Sequence, residues 1–471
     1  MSTDTRTETV GLYGSDAPGD DQRRAVREGR VPAAVYGLGK MGLPLAAAFA
    51  ETTGAVHGVD VDPDRVATLR DGDNPFEHEP ELSELVADVV ADGRFRATTD
   101  GNAAAAVARL HVIAVPTLVD DDGDTDLSHL RAAARTVASS LTAGDLVAVE
   151  STVPPGTCRE VVAPVLAEGD ADPGTYGLAF CPERIASGSA LRDIREAYPK
   201  VVGGVDAESG RVAELVYGEL TDNDVIRVSD ATTAECVKLF EGVYRDVNIA
   251  LANELAQLTD NLGVDVVEAI DAANTQPYCN ILTPGAGVGG HCIPYYPYFL
   301  TGAVDRDTPL VRTARAVNEG MPEFVVRRLA DELAGAGASV GDAMVAVLGV
   351  TYRAGVPETR ESPAIGISNR LADLGATVLA VDPLLDELPA MPAEHVHLSA
   401  LYDRDVDAAV LVTAHDAFDD IDWDAVSAGR GPDAAGADRH SDDGIIVVDG
   451  RQALDLSGTR HRQYTIGRGG D

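Results

Sequence analysis

A glycine-rich turn near the start of the chain is the feature that most constrains its fold. Residues 37–42 read GLGKMG, between an apolar segment at 31–36 and an alanine-rich segment with helical periodicity. In a strand–turn–helix unit, such glycines permit a tight turn, close approach of a pyrophosphate and packing of helix on strand. The helix N-terminus then faces the phosphates. The sequence therefore predicts a dinucleotide site with contacts from Gly37, Leu38, Gly39, Met41 and Gly42.

An acid at the end of the next apolar segment indicates which dinucleotide is bound. Asp60 follows the segment 55–59. A carboxylate at this point can accept hydrogen bonds from the adenosine ribose hydroxyls, which favours NAD over NADP. Arg65 is close in sequence and could instead meet a 2′-phosphate, so that alternative stays open. A glycine turn that binds no ligand is the other alternative.

Alternating strand and helix patterns continue on both sides of a helical middle. Further apolar segments stand at 110–115, 145–150 and 178–180, and a second series stands at 343–349, 377–382, 408–413 and 445–449. Between the two series, residues 234–262 have helical periodicity and no proline. The fold class predicted is α/β, with two Rossmann-like, doubly wound parallel-sheet domains joined by a central helical domain. A helix this long usually spans a domain junction or packs against another subunit, so we expect a homodimer or higher oligomer through the central domain.

The domain boundaries follow from these changes of pattern. The chain is divided into a loose N-terminal arm, a dinucleotide-binding domain, a central helical domain and a second Rossmann-like domain, at residues 1–30, 31–228, 229–325 and 340–471. Residues 427–443 are acidic and glycine-rich, which predicts a surface insertion.

The charge balance excludes several kinds of partner. The 471 residues carry a formal charge of −40, from 77 acidic and 37 basic residues. Such a charge repels nucleic acid and anionic lipid, so neither is an expected partner. Acidic residues are spread along the chain, as in proteins adapted to high salt. Anionic ligands would therefore need local arginines and helix N-termini.

The cysteines and the apolar segments point to a reducing cytoplasm. The five cysteines are odd in number and form no C-x-x-C pattern, so neither a disulfide framework nor a metal site is expected. No apolar run reaches the ~18 residues of a membrane span. The first residues are polar and acidic rather than a signal peptide.

A cysteine in a second glycine-dense segment is the candidate nucleophile. Residues 284–294 read PGAGVGGHCIP, which places Cys292 after a loop whose backbone can approach a ligand closely. A thiol there could attack a carbonyl carbon. Together with a nicotinamide cofactor, it suggests an oxidation that passes through a thioester. The alternative is a buried cysteine that acts as a small apolar side chain.

Lys238 is notable because the chain has almost no lysine. Only Lys40, Lys200 and Lys238 occur, and Lys238 lies on the predicted long helix. Unlike arginine, a desolvated lysine can lose its proton. It could take the proton of an alcohol and stabilise a developing oxyanion. The alternative is a surface lysine whose stem packs on apolar neighbours.

Ordered motifs along residues 31–455 resemble those of the UDP-glucose/GDP-mannose 6-dehydrogenase family. After the first glycine turn come ESTVPPGT at 150–157, CPER at 181–184, the lysine of the long helix and the cysteine loop, followed by GVTYR at 349–353, TRESP at 359–363 and VDGR at 448–451. The resemblance implies oxidation of a sugar C6 alcohol to a carboxylate with two NAD+ and one water. His291 and the RDVNIA run at 245–250 look most like the UDP-N-acetylhexosamine branch, such as enzymes for UDP-N-acetylmannosamine. A UDP-glucose 6-dehydrogenase is the alternative.

The resemblance also implies roles for individual residues. Cys292 would attack the aldehyde formed by the first hydride transfer, and Glu183 would position the hydrolytic water. A structural salt bridge is the alternative for Glu183. Thr117 would lie near the nicotinamide and the water, and Ser151 and Thr152 would line the cofactor.

Substrate contacts are implied for a further set of residues. The UDP portion would be handled by the second Rossmann-like domain and the glycine loop, and the remainder by one face of the long helix. The residues concerned are Arg353, Arg360, Arg451, Gly287, Gly289, Gly290, Arg245 and Asn248. Guanidinium groups can hold phosphate through two hydrogen bonds, although any one arginine could instead be a salt-bridge partner.

The chain departs from the family pattern at several positions. Gly242 stands where asparagine is usual, and Tyr296 stands where aspartate is usual. Tyr278, Ala286 and Ser187 replace an arginine, a proline and a glutamate. Two hypotheses could preserve activity: tyrosine hydroxyls at 295, 296 and 298 supply polar groups, or Gly242 leaves room for an ordered water.

Two rival functions remain open at this point. One is a catalytically silent protein that binds a nucleotide sugar and has a regulatory role. The other is a two-electron 3-hydroxyacid dehydrogenase, which would need neither the second Rossmann-like domain nor Cys292.

Overall fold

The chain divides into two compact units. The structure is a computed structural model that describes residues 10–76, 79–119, 125–185, 188–426 and 444–470. The first unit comprises Met1–Glu241 with Tyr298–Asp305, and the second comprises Gly242–Pro297 with Arg306–Asp471. The predicted insertion at 427–443 and the departure at Ser187 lie outside the described residues. The domain boundaries at 31–228, 229–325 and 340–471 stay predictions.

A sheet of eight described strands forms the core of the first unit. Its strands and a separate small hairpin are β1 (Ala33–Tyr36), β2 (Val56–Val59), β3 (Phe95–Thr98), β4 (Leu110–Ile113), β5 (Leu118–Val119), β6 (Thr125–Asp126), β7 (Leu146–Val149), β8 (Gly177–Phe180), β9 (Lys200–Gly204) and β10 (Val225–Arg227). The sheet order is β10-β9-β8-β7-β4-β1-β2-β3, with β5 pairing β6. All neighbours in the large sheet are parallel except β8 and β9, which are antiparallel. The central strands are buried on both faces, which explains their continuous apolar runs.

Helices cover this sheet. They are α1 (Gly19–Arg27), α2 (Gly42–Thr53), α3 (Pro63–Arg70), α4 (Leu82–Ala91), α5 (Gly101–Ala105), α6 (Ser128–Ala138), α7 (Ala163–Leu166), α8 (Ala190–Arg192) and α9 (Ala207–Tyr217), and α10 (Ala231–Gln257) begins in this unit and ends in the second. Helix α2 is buried over most of its length, because its small alanines let it lie close to the sheet. The helix ends at Gly54, whose left-handed conformation closes the last turn.

The prediction of a loose arm is wrong for the described residues 10–30. Helix α1 forms there, and Leu12, Ala25 and Val26 are buried in the core of the first unit. The Gln22 side chain donates a hydrogen bond to the Leu12 carbonyl at 2.7 Å. Burial of apolar side chains therefore outweighs the polar composition that suggested a free segment.

The second unit contains a similar sheet. Its strands are β11 (Met344–Leu348), β12 (Thr377–Val381), β13 (Glu394–His395), β14 (Ala408–Leu411), β15 (Ile446–Asp449), β16 (Arg462–Thr465) and β17 (Gly469–Gly470), in the order β13-β12-β11-β14-β15-β16-β17. Its helices are α11 (Thr259–Leu262), α12 (Val266–Ala273), α14 (Pro309–Glu319), α15 (Met321–Gly335), α16 (Pro363–Asp373) and α17 (Ala400–Asp403), whereas α13 (Tyr296–Gly302) begins in this unit and ends in the first. Pairing is parallel except between β16 and β17. Two sheet-based regions and a helical middle confirm the predicted fold class.

The predicted long helix is α10, which has 27 residues and is followed at once by the short α11. The division between the two units falls within α10, since Glu241 belongs to the first and Gly242 to the second. Among the residues that the structure describes, no helix combines the length and the apolarity needed to cross a bilayer.

Candidate active site

The glycine turn after β1 has the shape that a dinucleotide requires. Gly37 has φ of +93°, and a Cβ atom there would collide with the backbone of Ala114. A Cβ atom at Gly42 would collide with the carbonyl of Gly37, so the third glycine allows the close packing of α2. By contrast, the Cβ position of Gly39 faces open space. The turn therefore keeps one side of its backbone free for a ligand.

Asp60 supports this turn and presents its carboxylate beside it. Its Oδ2 atom accepts a hydrogen bond from the Leu38 backbone N–H at 2.8 Å and from Arg65 Nη1 at 2.9 Å. The Arg65 guanidinium also lies 5.7 Å from the centre of the Phe76 ring. Asp60 directly follows β2, and the Arg65 guanidinium is paired with its carboxylate, so these residues fit NAD.

Three predicted cofactor residues lie at the carboxyl ends of β4 and β7. Thr117 Oγ1 donates to the Thr152 carbonyl at 2.6 Å, and Ser151 Oγ donates to the Val115 carbonyl at 2.7 Å. These bonds connect the segments that follow two adjacent strands of the sheet. In open α/β sheets, ligands bind at this edge.

Lys238 and Glu183 meet in the first unit. Lys238 is 7% exposed, which rules out the surface lysine considered from sequence. Its Nζ donates to the backbone carbonyl of Glu183 and lies 3.6 Å from the Glu183 carboxylate. The Ile185 backbone N–H donates to the other carboxylate oxygen. The structure thus brings a buried ammonium and a carboxylate together.

A buried cluster behind Glu183 was missed from sequence. Lys200 Nζ lies 2.8 Å from Glu150 Oε2, and the Tyr217 hydroxyl donates to the other Glu150 oxygen. Burial raises the pKa of the Glu150 carboxyl, although Lys200 and Tyr217 oppose the shift. With Glu183, these residues line an open cavity. The scarcity of lysine, which drew attention to Lys238, was also a signal for Lys200.

In the second unit, the cysteine loop is closely packed. Cβ atoms at Gly287, Gly289 and Gly290 would meet neighbouring groups at 3.0, 2.7 and 2.9 Å, and Gly287 and Gly290 have φ of +138° and +95°. The neighbour of Gly290 is the Tyr352 ring. These contacts restrict the loop to glycine at each of the three positions.

Cys292 is exposed at the end of this loop, rather than a buried apolar side chain. Its carbonyl accepts the backbone N–H of Tyr295 at 3.2 Å and that of Tyr296 at 3.0 Å. The thiol is therefore carried on a turn that leads into α13. Burial raises the pKa of Tyr352, and nearby Glu358 and Cys292 raise it further.

Two of the neighbouring side chains contact glutamates. The Tyr295 hydroxyl donates to Glu361 Oε1 at 2.8 Å, and His291 Nε2 lies 3.5 Å from Glu358 Oε2. Burial, then Glu361, raises the pKa of Tyr295 to about 12. The Tyr295 hydroxyl is therefore a donor at neutral pH rather than a base.

The hypothesis that Gly242 leaves room for an ordered water is wrong. A Cβ atom at Gly242 would collide with the Tyr296 side chain, whose Cβ and Cγ atoms lie 3.0 Å from that position. Tyr296 is 7% exposed, so the aromatic ring fills the space beside the glycine. The two departures from the family pattern therefore compensate each other, because the Tyr296 ring occupies the volume that a side chain at 242 would need.

The predicted substrate arginines differ in their surroundings. Arg353, Arg360 and Arg245 are exposed, and they form no ion pair with any described residue. Arg451 is tied to the loop region: its Nε donates to the Val412 carbonyl at 2.5 Å, and a Cβ atom at Gly285 would lie 2.8 Å from its Nη1. Burial lowers the pKa of Arg451, although Asp449 opposes the shift.

Asn248 is already engaged with the loop that follows α12. Its Nδ2 donates to the Asn280 carbonyl at 2.7 Å, and its Oδ1 accepts the Leu282 N–H at 2.9 Å. The side chain thus holds a loop as well as facing the same side of α10 as Arg245.

Within the described ranges, no three potential metal ligands come together.

Comparison with known protein families identifies the class. The NAD binding, central and UDP binding domain models of the UDP-glucose/GDP-mannose dehydrogenase family match residues 32–221, 232–320 and 346–455. The chain belongs to this family and is an NAD-dependent oxidoreductase. This confirms the family resemblance and the cofactor. The matched UDP binding domain decides against the 3-hydroxyacid dehydrogenase.

Several similar proteins are named for N-acetylated sugar nucleotides. An NDP-N-acetyl-D-galactosaminuronic acid dehydrogenase of Ralstonia nicotianae is 38% identical over 83% of this chain and 92% of its own length. A UDP-N-acetyl-D-mannosamine dehydrogenase of Pyrococcus horikoshii is 35% identical over 89% and 95%. The solved structure of a UDP-D-ManNAc dehydrogenase from Pyrococcus horikoshii has a TM-score of 0.82 at 34% identity, covering 93% of this chain and 100% of that one.

Proposed function

We propose that the protein oxidises the C6 alcohol of a UDP-N-acetylhexosamine, such as UDP-N-acetylmannosamine, to the carboxylate. The observation that carries the proposal is the pairing of buried Lys238 with Glu183 in a chain that also presents Cys292 on a turn. The N-acetylhexosamine is supported by the names of the similar proteins from Ralstonia and Pyrococcus. The alternatives are a UDP-glucose 6-dehydrogenase and a silent binding protein.

The first half of the reaction assigns a base to Lys238. A lysine out of water can give up its proton, and the neutral amine then takes the proton of the C6 hydroxyl. NAD+, when bound, accepts the hydride that leaves C6 in each of two oxidations. The cofactor contacts assigned are those of the glycine turn, Asp60, Thr117, Ser151 and Thr152.

The second half assigns a nucleophile to Cys292. Its sulfur forms a bond to the aldehyde carbon while the thiol proton passes to the aldehyde oxygen. Loss of a second hydride from that carbon and of the hydroxyl proton then leaves a thioester. Water, oriented by Glu183, then adds to the acyl carbon, and the carbon–sulfur bond breaks. The thiol is regenerated, and the sugar leaves as a carboxylate with release of one proton.

The nucleotide would be held by cations and close backbone contacts. Arg353 and Arg360 are exposed and have no carboxylate partner among the described residues, so they are available to an anionic diphosphate. Arg451 and the loop glycines Gly287, Gly289 and Gly290 are assigned to the UDP portion. Arg245 and Asn248 are assigned to the sugar side.

Exposed apolar side chains support a homodimer through the central region. Phe240, Tyr244, Leu251, Leu258 and Leu262 are between 42% and 60% exposed along α10 and α11. Tyr244, Leu251 and Leu258 recur every seven residues, the spacing with which helices pack against each other. The proposed setting is the cytoplasm of a salt-adapted cell, in which the enzyme supplies uronic acid donors for polysaccharide biosynthesis.

The stoichiometry of NADH formation tests the proposed activity. In high salt, the enzyme should form two NADH for each UDP-N-acetylmannosamine consumed, and turn over UDP-glucose more slowly. Cys292→Ser should reduce four-electron turnover by about 10³-fold or more, because the serine hydroxyl is a far weaker nucleophile.

The control is Cys279→Ser, a second free cysteine in the same unit, which should keep its activity. One NADH per sugar would indicate a simple alcohol dehydrogenase. No NADH over a panel of UDP-sugars would favour the silent protein, and unchanged turnover of Cys292→Ser would remove its assignment as nucleophile.

A further inference from the structure

Two lysines hold three consecutive backbone carbonyls at the end of β8. Lys200 Nζ lies 3.1 Å from the carbonyl oxygen of Cys181 and 3.2 Å from that of Pro182. The next carbonyl, that of Glu183, accepts from Lys238. Two of the three lysines in the chain thus fix one short turn, which ends at the Glu183 carboxylate.

The position of Lys200 suits lysine's ammonium group. Its third close acceptor is Glu150 Oε2 at 2.8 Å, so three oxygens surround one nitrogen that has three donors. The Tyr217 ring centre lies 4.6 Å from the same nitrogen. The Lys200 side chain is 17% exposed and that of Glu150 is 1% exposed, so the cluster lies mainly inside the first unit.

The cluster itself is held from the other side. Tyr217 is 1% exposed and donates its hydroxyl to Glu150. Burial, then Glu150, raises the pKa of Tyr217 well above its usual value, so the hydroxyl stays a donor. The ammonium of Lys200 therefore has a fixed counter-ion, and the two carbonyls that it binds have a fixed donor.

We infer that Lys200 is a positioning residue for Glu183 and acts in the release of the acid from Cys292. The inference rests on the proposed function, in which Glu183 orients the water that attacks the thioester. Lys200 touches neither substrate nor water in this assignment. It sets the direction in which the turn 181–183 presents the carboxylate.

A loss of this positioning should affect hydrolysis more than oxidation. In Lys200→Met, a rapid first turnover should still form two NADH per active site, but the steady-state rate should fall about 10- to 100-fold, because small misplacements of a reacting group cost this much. Mass spectrometry of the quenched intact protein should show the acyl-sugar adduct on Cys292. Glu183→Gln should give the same pattern and serves as the reference.

A double variant separates positioning from stability. Lys200→Met leaves the Glu150 charge buried without its partner, which destabilises a fold strongly. Glu150→Gln with Lys200→Met removes both charges, so the melting temperature should recover while turnover stays low and the adduct persists. Tyr217→Phe is the matched control, because it removes a contact of Glu150 and keeps the carbonyl contacts of Lys200. It should accumulate less adduct than Lys200→Met.

Three results would overturn the inference. The double variant would regain turnover together with stability, the first turnover would fall as much as the steady-state rate, or Glu183→Gln would accumulate adduct while Lys200→Met did not. If the wild-type protein does not form two NADH per sugar, the proposed function fails and this inference fails with it.

Discussion

The carboxylate of Asp382, in the second unit, connects several segments of the chain through hydrogen bonds. Its Oδ2 accepts the backbone N–H groups of Val350 and Thr351 at 2.7 and 2.8 Å, and His415 Nε2 lies 3.2 Å away. Burial alone would raise the pKa of Asp382, but the hydrogen bonds from His415, Thr351 and Leu384 outweigh it and lower the pKa to about 2. The ionised form is therefore favoured by folding.

This shift predicts how stability depends on pH. Since the pKa of Asp382 is lower in the folded state than in the unfolded state, its contribution is present above about pH 4 and is lost as pH falls towards 2. Asp382→Asn should lower the melting temperature at pH 7 and make the difference from wild type shrink as pH falls through this range. Thermal unfolding at several pH values measures the difference.

The control is Asp386→Asn, at an exposed position four residues away. It should change stability little at any pH. A difference between wild type and Asp382→Asn that stayed constant from pH 7 to pH 2 would contradict the assignment.

Single residues could be predicted where chemistry or geometry leaves few choices. Gly37 and Gly42 could be predicted because a side chain at either position would collide with backbone. Lys238 could be predicted because lysine is rare and arginine cannot lose its proton. Lys200 was missed because its partners are two main-chain carbonyls and Glu150, which only the fold brings together.

At the scale of elements, helix α10 and the start of α13 fit each other through Gly242 and Tyr296. From sequence, these were two separate losses of polar groups. In the fold they are complementary, because the ring of Tyr296 takes the volume that any side chain at 242 would need. Neighbouring substitutions of this kind are expected to be energetically coupled.

A double-mutant cycle measures this coupling. Gly242→Ala should destabilise the protein by about 1–3 kcal/mol through overpacking, and Tyr296→Ala by about 3–5 kcal/mol through the cavity. Combined, the two should cost at least about 0.5 kcal/mol less than their sum, because the new methyl group enters the space left by the ring. Urea unfolding of the four proteins gives the free energies.

Gly302→Ala is the control for the first change, since a Cβ atom at Gly302 meets nothing within 4 Å. It should not destabilise the protein. Additive effects at 242 and 296 would show that the two positions do not share one space.

Element boundaries were predicted less well than element types. The pattern at 234–262 gave one helix, whereas the fold has α10 from Ala231 and a separate short α11. The antiparallel step between β8 and β9 was not predicted, because strand direction depends on the path of the connection and not on residue pattern. Helix α1 was missed because few of its residues are apolar, although those that are become buried.

At the scale of the whole molecule, the charge of −40 opposes the compact state. Many carboxylates repel one another at low ionic strength, and added salt screens them over about 10 Å at 0.1 M and 3 Å at 1 M. Added salt should therefore favour both the folding of the chain and the association of two such chains.

We expect the melting temperature to rise by several degrees between 0.1 M and 2 M KCl, and the fraction of the proposed dimer to rise with it. Differential scanning calorimetry and sedimentation velocity at matched protein concentrations measure the two effects. Sucrose of equal osmolality is the control for effects other than screening. A melting temperature that fell or stayed level with salt would contradict high-salt adaptation.

The larger architecture was predictable because strand and helix patterns repeat along the chain. The two units even share a detail: the backbone N–H groups of Gly37 and Gly349 each donate, at 2.8 Å, to the last residue of the following strand, Val59 and Val381. Motif order identified the family. The position of Asp60 could be predicted from sequence, but its hydrogen-bond partners Leu38 and Arg65 could not.

The burial of Lys200 and Lys238 also limits where the protein can be chemically tagged. Apart from the terminal α-amino group, amine-reactive dyes, cross-linkers and enzymatic acylation have only three lysines to modify. Two of these are largely enclosed, which leaves Lys40 inside the first glycine turn. A label attached to lysine would therefore sit at the glycine turn assigned to the cofactor, and immobilisation through lysine would block the site that it was meant to display.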